Sequence, residues 1–406
     1  MSIRKRIWTN ADGSVTTVFV ADVVDANGHR ERRQFESRAE ANAFRVTTEN
    51  KMRAGTFRSD ASKYTVKDAA DAYLDYCEGR KNRGERMTRH HYNVVEGHIR
   101  NYICRDPKRH EGKSRPARLK EFDGGIGAIR LSQLTARSVS DFRDRLRDAG
   151  VSIVTTRKIL STLQQLLQYA ISRDMVGVNV ARGIKVIGKR GEGARKIVPP
   201  TKEAMRALLS VADRDFQVKL GFASSTGVRA GELHALRWRH LDFAKGEVEV
   251  ESRVDAYGDE GVTKTAAGMR TIPLSQPLVL MLKEWKLRTK RKKSEDLVFP
   301  NKRGWYTGHD NMVKRKFLPL FDVLEQKHKE DPDQHPEAPV RFNWHALRHF
   351  AVSCWIEAGL SPKTVQTFAG HSSLQVTMDR YGHLFKSDDH KAAMNEIAES
   401  LFESTV

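Results

Sequence analysis

Four side chains late in the sequence have the types and spacing needed to bind and attack a phosphodiester. His345 and Arg348 stand three residues apart, so a helix would project both from the same side. His371 follows after a turn, and Tyr381 comes ten residues later. A guanidinium offers a rigid fork for two phosphate oxygens, an imidazole can donate a hydrogen bond or take a proton, and a phenol can act as donor or nucleophile.

Turn residues between these side chains predict the elements that hold them. Gly359 is typical of a helix C-cap, while Ser361 and Pro362 are typical of the N-cap and first turn of a following helix. Both histidine-bearing segments are therefore expected at helix ends.

A second, distant stretch strengthens the interpretation. Arg229 follows a glycine turn at the start of an apolar-periodic helix, and Glu232 lies three residues further on. The spacing of a histidine and an arginine alone carries little information, because the same pattern recurs in residues 29–32 and 234–237. The ordered combination of motifs is what favours a phosphodiester site.

These motifs resemble, in type and order, those of the tyrosine recombinases, also called phage-type integrases. Residues 226–233 look like the first arginine box of that family, residues 345–348 like the second, Gly370-His371 like the third, and Tyr381 like the nucleophile. Lys264, on a predicted hairpin between the arginine boxes, is similar to the family's lysine. The resemblance is close over roughly residues 200–385 and only general before them.

The resemblance implies a site-specific recombinase that cuts and rejoins DNA through a transient 3′-phosphotyrosine, to integrate or excise a mobile element or prophage. It implies no cofactor, metal ion or ATP. The implied partners are double-stranded attachment sites, other copies of the chain in a tetramer on two duplexes, and accessory factors that bend DNA or set direction.

The resemblance also implies roles for the individual side chains. Arg229 and Arg348 would stabilise the charge on the phosphorane, and His371 would hydrogen-bond a non-bridging oxygen. Lys264 would protonate the departing 5′ oxygen after Tyr381 attacks. A phenol with an ordinary pKa near 10 is a poor nucleophile, so these cations are needed for the attack.

His345 is expected to relay the proton of Tyr381, and Glu232 to orient Arg229 or His345.

Three other functions stay open. A type IB topoisomerase would use the same tyrosine chemistry, and a DNA-binding regulator would form no covalent adduct. A metal nuclease could use His345 with His349, although that pair lacks the glutamate and third ligand of a metal site.

Composition favours a nucleic-acid-binding protein of several domains. A chain of 406 residues is long for one core, so two or three domains are expected. There are 71 Lys and Arg against 51 Asp and Glu, a net charge of +20. An excess of this size is typical of proteins that bind nucleic acid or an anionic membrane.

The sequence has no apolar run near the roughly 20 residues that cross a bilayer, and its first residues lack an apolar signal core. We therefore expect a soluble protein of the bacterial cytoplasm, associated with the nucleoid while it acts, and no membrane partner. Cys77, Cys104 and Cys354 are widely spaced and are interpreted as reduced core thiols.

Residues 1–60 are expected to form a small DNA-binding domain. Alternating patterns and turn pairs predict three strands and then a helix, at 3–9, 15–24, 29–35 and about 38–53. Arg30, Arg32 and Arg33 make the third strand a candidate DNA reader, although an ordinary solvated face fits equally well. The resemblance favours DNA, because many integrases carry such a domain for accessory arm sites.

Residues 63–182 are expected to form a helical core-binding domain. Apolar periodicity predicts four helices, at 65–79, 88–104, 138–148 and 155–175. Residues 63–199 hold 29 Lys and Arg against 15 Asp and Glu, a net charge of +14, which favours contact with DNA. A basic linker follows at 183–200, where Lys189 and Arg190 are candidate phosphate contacts.

Residues 201–384 are expected to form a mixed α+β catalytic domain, so the fold class is multidomain and mainly α with small β elements. The alternating residues 247–251 predict a strand whose partners lie in residues 262–274. Residues 327–339 are expected to be an exposed insertion. The tail, 385–406, is interpreted as a short helix that packs on a neighbouring protomer or on its own domain.

Overall fold

The computed structural model describes residues 2–24, 30–53, 63–105, 122–188, 192, 197–262, 268–334, 340–385 and 390–402. The chain divides into two compact units, Met1–Arg195 and Lys196–Val406. Both are mainly helical, and the described strands form small antiparallel sheets. The expected fold class, multidomain and mainly α with small β elements, is confirmed.

The first elements form the predicted three-stranded module. Its sheet is antiparallel in the order β1 (Ser2–Thr9), β2 (Val15–Val24), β3 (Arg30–Phe35), and α1 (Arg38–Arg53) follows. The capping box is present, because the Glu40 amide donates to Ser37 Oγ at 3.1 Å and the Ser37 amide donates to Glu40 Oε2 at 3.3 Å.

The two faces of this sheet have different neighbours. Phe35 contacts Phe44 of α1, with 5.3 Å between ring centroids, so this side of β3 faces the helix. Arg33 is on the same side, its guanidinium 5.0 Å from the Phe44 ring. Arg32 is on the opposite side, where it pairs with Asp22 at 3.4 Å and keeps 54% of its side chain exposed.

The rest of the first unit contains four α-helices that pack around a shared core. They are α2 (Val66–Asn82), α3 (Arg89–His98), α4 (Ala136–Asp148) and α5 (Ile153–Ser172). The predicted second helix is shorter than expected, since a wider π-helical turn, Ile99–Ile103, replaces its last part. The predicted apolar stripe of α5 is confirmed as core, with these residues buried: Ile159, Leu160, Leu163, Leu166, Leu167 and Ala170.

The second unit contains ten α-helices and five strands among the described residues. The helices are α6 (Lys202–Val211), α7 (Arg214–Thr226), α8 (Ala230–Ala235), α9 (Gln276–Arg288), α10 (His309–Met312), α11 (Leu318–Glu330), α12 (Ala346–Glu357), α13 (Pro362–Ala369), α14 (Leu374–Tyr381) and α15 (His390–Phe402). The strands are β4 (Leu241–Asp242), β5 (Glu247–Val250), β6 (Ser252–Val254), β7 (Glu260–Val262) and β8 (Arg270–Pro273). Helix α11 extends into the predicted insertion, because its apolar stripe of Leu320, Phe321 and Leu324 anchors the preceding turns.

The strand pairing differs in part from the prediction. β5 pairs with β8 as expected, Val248 lying opposite Ile272. β8 is the one described partner of β5 within the predicted range 262–274; β7, which ends at Val262, pairs with β6 in a separate two-stranded sheet. The chain leaves one sheet for the other at Glu251, which belongs to neither strand, so the alternation of residues 247–251 gives no sign of the second sheet.

Two apolar clusters support this unit. The larger one includes Phe222 of α7, Leu282 of α9 and Ile272 of β8. The smaller one joins α12, α13 and α14 and includes Val352, Val365 and Tyr381. The tyrosine is therefore part of the packing that holds these three helices together.

Candidate active site

Two left-handed glycines place the ends of the helices that carry the site. Gly227 caps α7 with φ 59°, and Gly370 caps α13 with φ 60°, a conformation that favours glycine. Arg229 is then the N-cap residue of α8, and His371 directly follows the cap of α13. Ser361 caps α13 and Pro362 occupies its first turn, as predicted.

Arg348 is buried between two helix ends. It projects from α12 and is 3% exposed. Its Nη1 donates to the carbonyl of Gly227 at 2.8 Å, and its Nη2 donates to the carbonyl of Ala369. Both acceptors are backbone atoms at helix C-termini, which carry partial negative charge.

Arg229 is held by an acidic side chain and by the C-terminal end of α13. Its Nη1 donates to Glu232 Oε1 at 2.9 Å, and its Nη2 donates to the carbonyl of Gly370 at 2.9 Å. Glu232 thus orients Arg229, one of the two residues proposed from the sequence. No hydrogen bond from Glu232 to His345 is present among the described contacts.

Arg270 was missed by the sequence reasoning. It lies on β8, with 1% of its side chain exposed, and donates from Nη2 to Glu232 Oε2 at 2.8 Å. Its Nε donates to the carbonyl of Phe368 at 2.7 Å, and its Nη1 donates to the carbonyl of Gly268 at 2.8 Å. Burial alone would raise the pKa of Glu232, but Arg270 and Arg229 outweigh it and the pKa is lowered.

Tyr381 lies fully buried in the pocket of its own chain. Its hydroxyl is 2.6 Å from Nδ1 of His349, and its ring stacks against His371 with 6.1 Å between centroids. The sequence had placed His345 beside the tyrosine. The described hydrogen bond is instead with His349, one turn further along α12, and the His345 ring packs edge-on against it at 4.8 Å.

His371 has one ring nitrogen engaged and one without a partner. Its Nδ1 is 2.9 Å from Oγ1 of Thr377, a fully buried residue of α14. Its Nε2 is buried and has no hydrogen-bond partner among the described residues. A polar atom in this situation is costly unless something outside the chain satisfies it, and a phosphate oxygen is suitable.

Burial makes the imidazoles neutral at physiological pH. Burial, with help from nearby arginines, lowers the pKa of His371 to about 3 and that of His349 to about 4. The pKa of His345 falls to about 4 through burial and its contact with His349. Burial and Arg229 lower the pKa of Arg348 to about 9, so it stays a cation at pH 7. The pocket therefore holds arginine cations beside neutral imidazoles.

A cavity of about 290 Å³ opens beside these groups. It is lined by Arg229, Gly231, Glu232, Arg253, Val254, Gly268, Gly370 and Ser372. Arg253, on β6, has a buried Nε with no hydrogen-bond partner among the described residues. A further guanidinium thus borders the space next to Arg229, at a position that no sequence motif had indicated.

Several predicted residues lie outside the described part of the chain. These are Lys264, which the sequence predicts on a hairpin, and Lys189 and Arg190 of the predicted linker. Arg30 belongs to β3, and its side chain is likewise outside it. Among the described residues no group of three or more His, Cys, Asp and Glu could hold a metal ion, and no described helix is long and apolar enough to cross a membrane.

All three cysteines are free, as expected. Cys77 and Cys104 are buried in the first unit, and burial raises the pKa of both thiols. Cys354 lies on α12 and is partly exposed, so it is only partly a core residue.

Comparison with known proteins identifies two matching families. Residues 200–388 match the phage integrase family, and residues 70–186 match the phage integrase SAM-like domain. The chain is 25% identical to the ICEBs1 integrase of Bacillus subtilis over 271 residues, 65% of this chain and 70% of that protein. It is 25% identical to a XerC-like tyrosine recombinase of Caldanaerobacter subterraneus over 393 residues, 89% of this chain and 90% of that protein.

Solved structures show the same fold. A Tn1549 transposon integrase in complex with transposon right end DNA aligns with a TM-score of 0.61 at 18% identity, covering 82% of this chain and 99% of that one. A lambda integrase dimer bound to a core site aligns with a TM-score of 0.54 at 16% identity, covering 94% and 97%. From the two family matches, which together span most of residues 70–388, and a relative that aligns with 89% of the chain, the chain belongs to the tyrosine recombinase family, the phage integrases.

Proposed function

We propose that this protein is a site-specific DNA recombinase that integrates or excises a mobile element through a transient 3′-phosphotyrosine at Tyr381. One observation carries the proposal. The hydroxyl of a buried tyrosine lies in the same pocket as two fixed guanidiniums and a histidine nitrogen without a partner among the described residues. Such a set of groups suits an attack on a phosphodiester better than it suits packing.

Arg229 and Arg348 bind the scissile phosphate in this proposal. Each guanidinium has five N–H donors, and the described contacts engage only some of them. The donors left over can face non-bridging oxygens, and His371 Nε2 can add another hydrogen bond if Nδ1 accepts from Thr377. Charge that grows on the phosphorane would meet groups already in position.

Tyr381 then attacks phosphorus and the 5′ oxygen departs. Burial raises the pKa of Tyr381, so its proton must be removed during the attack rather than before it. We assign Lys264 as the acid that protonates the departing oxygen. The phosphotyrosyl ester keeps the energy of the broken bond, because a phenolate leaves more readily than an alkoxide, and a second 5′ hydroxyl can reseal the strand without ATP.

The protein's partners are proposed to be double-stranded attachment sites and further copies of the chain. A lambda integrase tetramer bound to a Holliday junction aligns with a TM-score of 0.51 and 16% identity over 90% of this chain. We expect a comparable tetramer on two duplexes here. Residues 63–182, with the basic linker 183–200, would bind the core site together with the catalytic domain 201–384, and residues 1–60 would bind an accessory site.

Covalent capture from whole genomic DNA tests this function. The protein is mixed with sheared genomic DNA from a cell that carries its coding sequence, and the mixture is denatured, purified on the protein and sequenced. The wild-type chain is expected to recover a defined sequence, whereas Tyr381→Phe should recover none and still shift that DNA in a native gel.

Other outcomes favour other functions. Adducts spread over unrelated sequences, with relaxation of any supercoiled plasmid, would indicate a type IB topoisomerase. Cleavage that stops in EDTA and resumes with a divalent ion would favour a metal nuclease using His345 and His349. DNA binding without any adduct would mean that the chain is a regulator.

A further inference from the structure

The structure places an unassigned histidine on the attacking atom. Nδ1 of His349 is 2.6 Å from the Tyr381 hydroxyl, and the two rings are 5.7 Å apart between centroids. We propose that His349 removes the proton from Tyr381 during cleavage and returns it during rejoining. This inference rests on the proposed recombinase function.

The direction of the hydrogen bond follows from the chemistry of the two groups. A phenol is a good donor and a weak acceptor, and a neutral imidazole nitrogen is a good acceptor. The Tyr381 O–H therefore donates to Nδ1 of His349, which leaves the remaining ring proton on Nε2. The arrangement is already that of a base holding its acid.

Packing fixes the imidazole in this position. His349 projects from the same helix as Arg348, one residue on, so the base and a phosphate-binding cation move as one body. The edge-on contact with His345 closes the other side. Tyr381 packs within the apolar cluster that includes Val352 and Val365. A short distance between the tyrosine oxygen and the histidine nitrogen matters more for proton transfer than the pKa that the imidazole has without DNA.

The charges around His349 favour the neutral imidazole without DNA and the protonated imidazole during cleavage. Without DNA, burial and the cations Arg348 and Arg380 keep the pKa of His349 at about 4, so the nitrogen is unprotonated and able to accept. A phosphodiester bound to Arg348 brings negative charge next to the same imidazole. That charge offsets the arginines and favours the protonated form as the tyrosine gives up its proton.

The proton and bond changes balance over one cleavage step. The Tyr381 proton moves to His349 Nδ1, the bond between Oη and phosphorus forms, and the bond between phosphorus and the 5′ oxygen breaks. The 5′ oxygen takes its proton from the general acid, assigned above to Lys264. In rejoining, an incoming 5′ hydroxyl attacks phosphorus and gives its proton to the neutral Lys264. The bond between phosphorus and Oη breaks, and the protonated His349 gives its proton to the departing phenolate.

An asparagine at this position separates proton transfer from positioning. The Asn side chain can present an oxygen near the place of Nδ1 and accept the same hydrogen bond, but it cannot take a proton. Single-turnover cleavage is measured on a nicked duplex built from a sequence recovered by covalent capture. We expect His349→Asn to bind this duplex like the wild type and to cleave it ~10²-fold more slowly.

A fluorinated tyrosine at position 381 gives a second readout. Fluorine on the ring lowers the pKa of the phenol, so less help is needed to remove its proton. The deficit of His349→Asn relative to its matched parent should therefore shrink with fluorotyrosine. Arg229→Lys is the control, because its defect lies in phosphate stabilisation, and the same replacement should leave that defect unchanged.

The outcomes distinguish the inference from the function on which it rests. Cleavage by His349→Asn at the wild-type rate, or a deficit that fluorotyrosine does not change, overturns the role of His349 while wild-type adducts keep the recombinase function intact. If His349→Asn disturbs the site, His349→Ala with added imidazole replaces it: restored cleavage supports proton transfer, and no restoration contradicts it. Absence of wild-type adducts overturns both proposals.

Discussion

Three arginines converge on three successive carbonyls at the end of one helix. Arg270 donates to Phe368, Arg348 to Ala369 and Arg229 to Gly370, the last turn and cap of α13. The partial negative charge of a helix C-terminus attracts guanidiniums and fixes their planes before any DNA arrives. The cost of orienting these cations is therefore met by the fold rather than during the reaction.

Arg270 is predicted to stabilise this arrangement without touching DNA. Arg270→Lys cannot serve Glu232, Phe368 and Gly268 together, and it weakens a buried pair, so we expect a loss of ~3–5 kcal/mol in the free energy of unfolding. Tryptophan fluorescence in urea suits the measurement, since five of the six tryptophans lie after residue 200. The exposed Arg206→Lys is a matched control; equal stability of the two variants would contradict the prediction.

The acid role of Lys264 is tested by changing the leaving group. An alkoxide leaves poorly without a proton, whereas a thiolate leaves readily, because thiols are far more acidic than alcohols; the cysteine thiol, for comparison, has a pKa of about 8.5. Lys264→Ala is expected to cleave normal DNA ~10²–10⁴-fold more slowly and to recover when sulfur replaces the bridging 5′ oxygen. Arg229→Ala should recover much less. Equal recovery of both variants, or no recovery of Lys264→Ala, would contradict the role of Lys264 as the acid.

The predictable part of the site is the part that local sequence encodes. Glycine caps and the Ser361-Pro362 start gave the helix ends, and these fix where Arg229 and His371 lie. Arg270 and the contact of His349 were missed for a different reason. Which residues a buried arginine reaches, and which of two histidines on one helix face meets the phenol, depend on how α13 and α14 pack.

At the scale of elements, we expect the sheet of the first module to bind DNA through the face that points away from α1. Strand register puts Arg4 opposite Val20, Arg6 opposite Val18 and Arg32 opposite Asp22, on the side away from α1. Parity of a strand cannot say which side a helix will cover, so the sequence could not separate Arg32 from Arg33.

Charge changes on this sheet should have opposite outcomes on its two faces. The double variant Arg4→Gln, Arg6→Gln is expected to bind an accessory site more weakly. The negative slope of log K against log salt should become less steep by about 1 for each phosphate that the protein no longer neutralises. Arg33→Gln, against α1, should leave that slope unchanged. Fluorescence anisotropy over a salt series measures both; a lower slope only for Arg33→Gln would reverse the assignment of the faces.

At the scale of the whole molecule, charge separates the body of the protein from its tail. Residues 63–199 carry a net charge of +14, whereas residues 385–406 have two Lys against five Asp and Glu. Met394 and Ile397 on α15 are 63% and 51% exposed, an apolar stripe with no cover in the described part of the single chain. An acidic tail whose helix carries such a stripe suits a protein neighbour better than DNA.

Truncation after Leu384 is therefore predicted to weaken assembly more than DNA binding. We expect an unchanged Kd for one core site and a clear loss of the complex that joins two duplexes, because a short helix gains its stability from packing on a partner. Native gels with one and two labelled duplexes separate the two effects. Intact pairing of duplexes would mean that the helix packs on its own domain.

The most direct measurement maps the atom that carries the DNA. Adducts trapped on a captured site are digested with nuclease and trypsin, and tandem mass spectrometry locates the remaining nucleotide. The account predicts its mass on the peptide of residues 381–386, in which Tyr381 is the single hydroxyl-bearing side chain. A nucleotide on another peptide, such as one containing Tyr257 or Tyr306, would contradict the assignment of Tyr381 as the nucleophile.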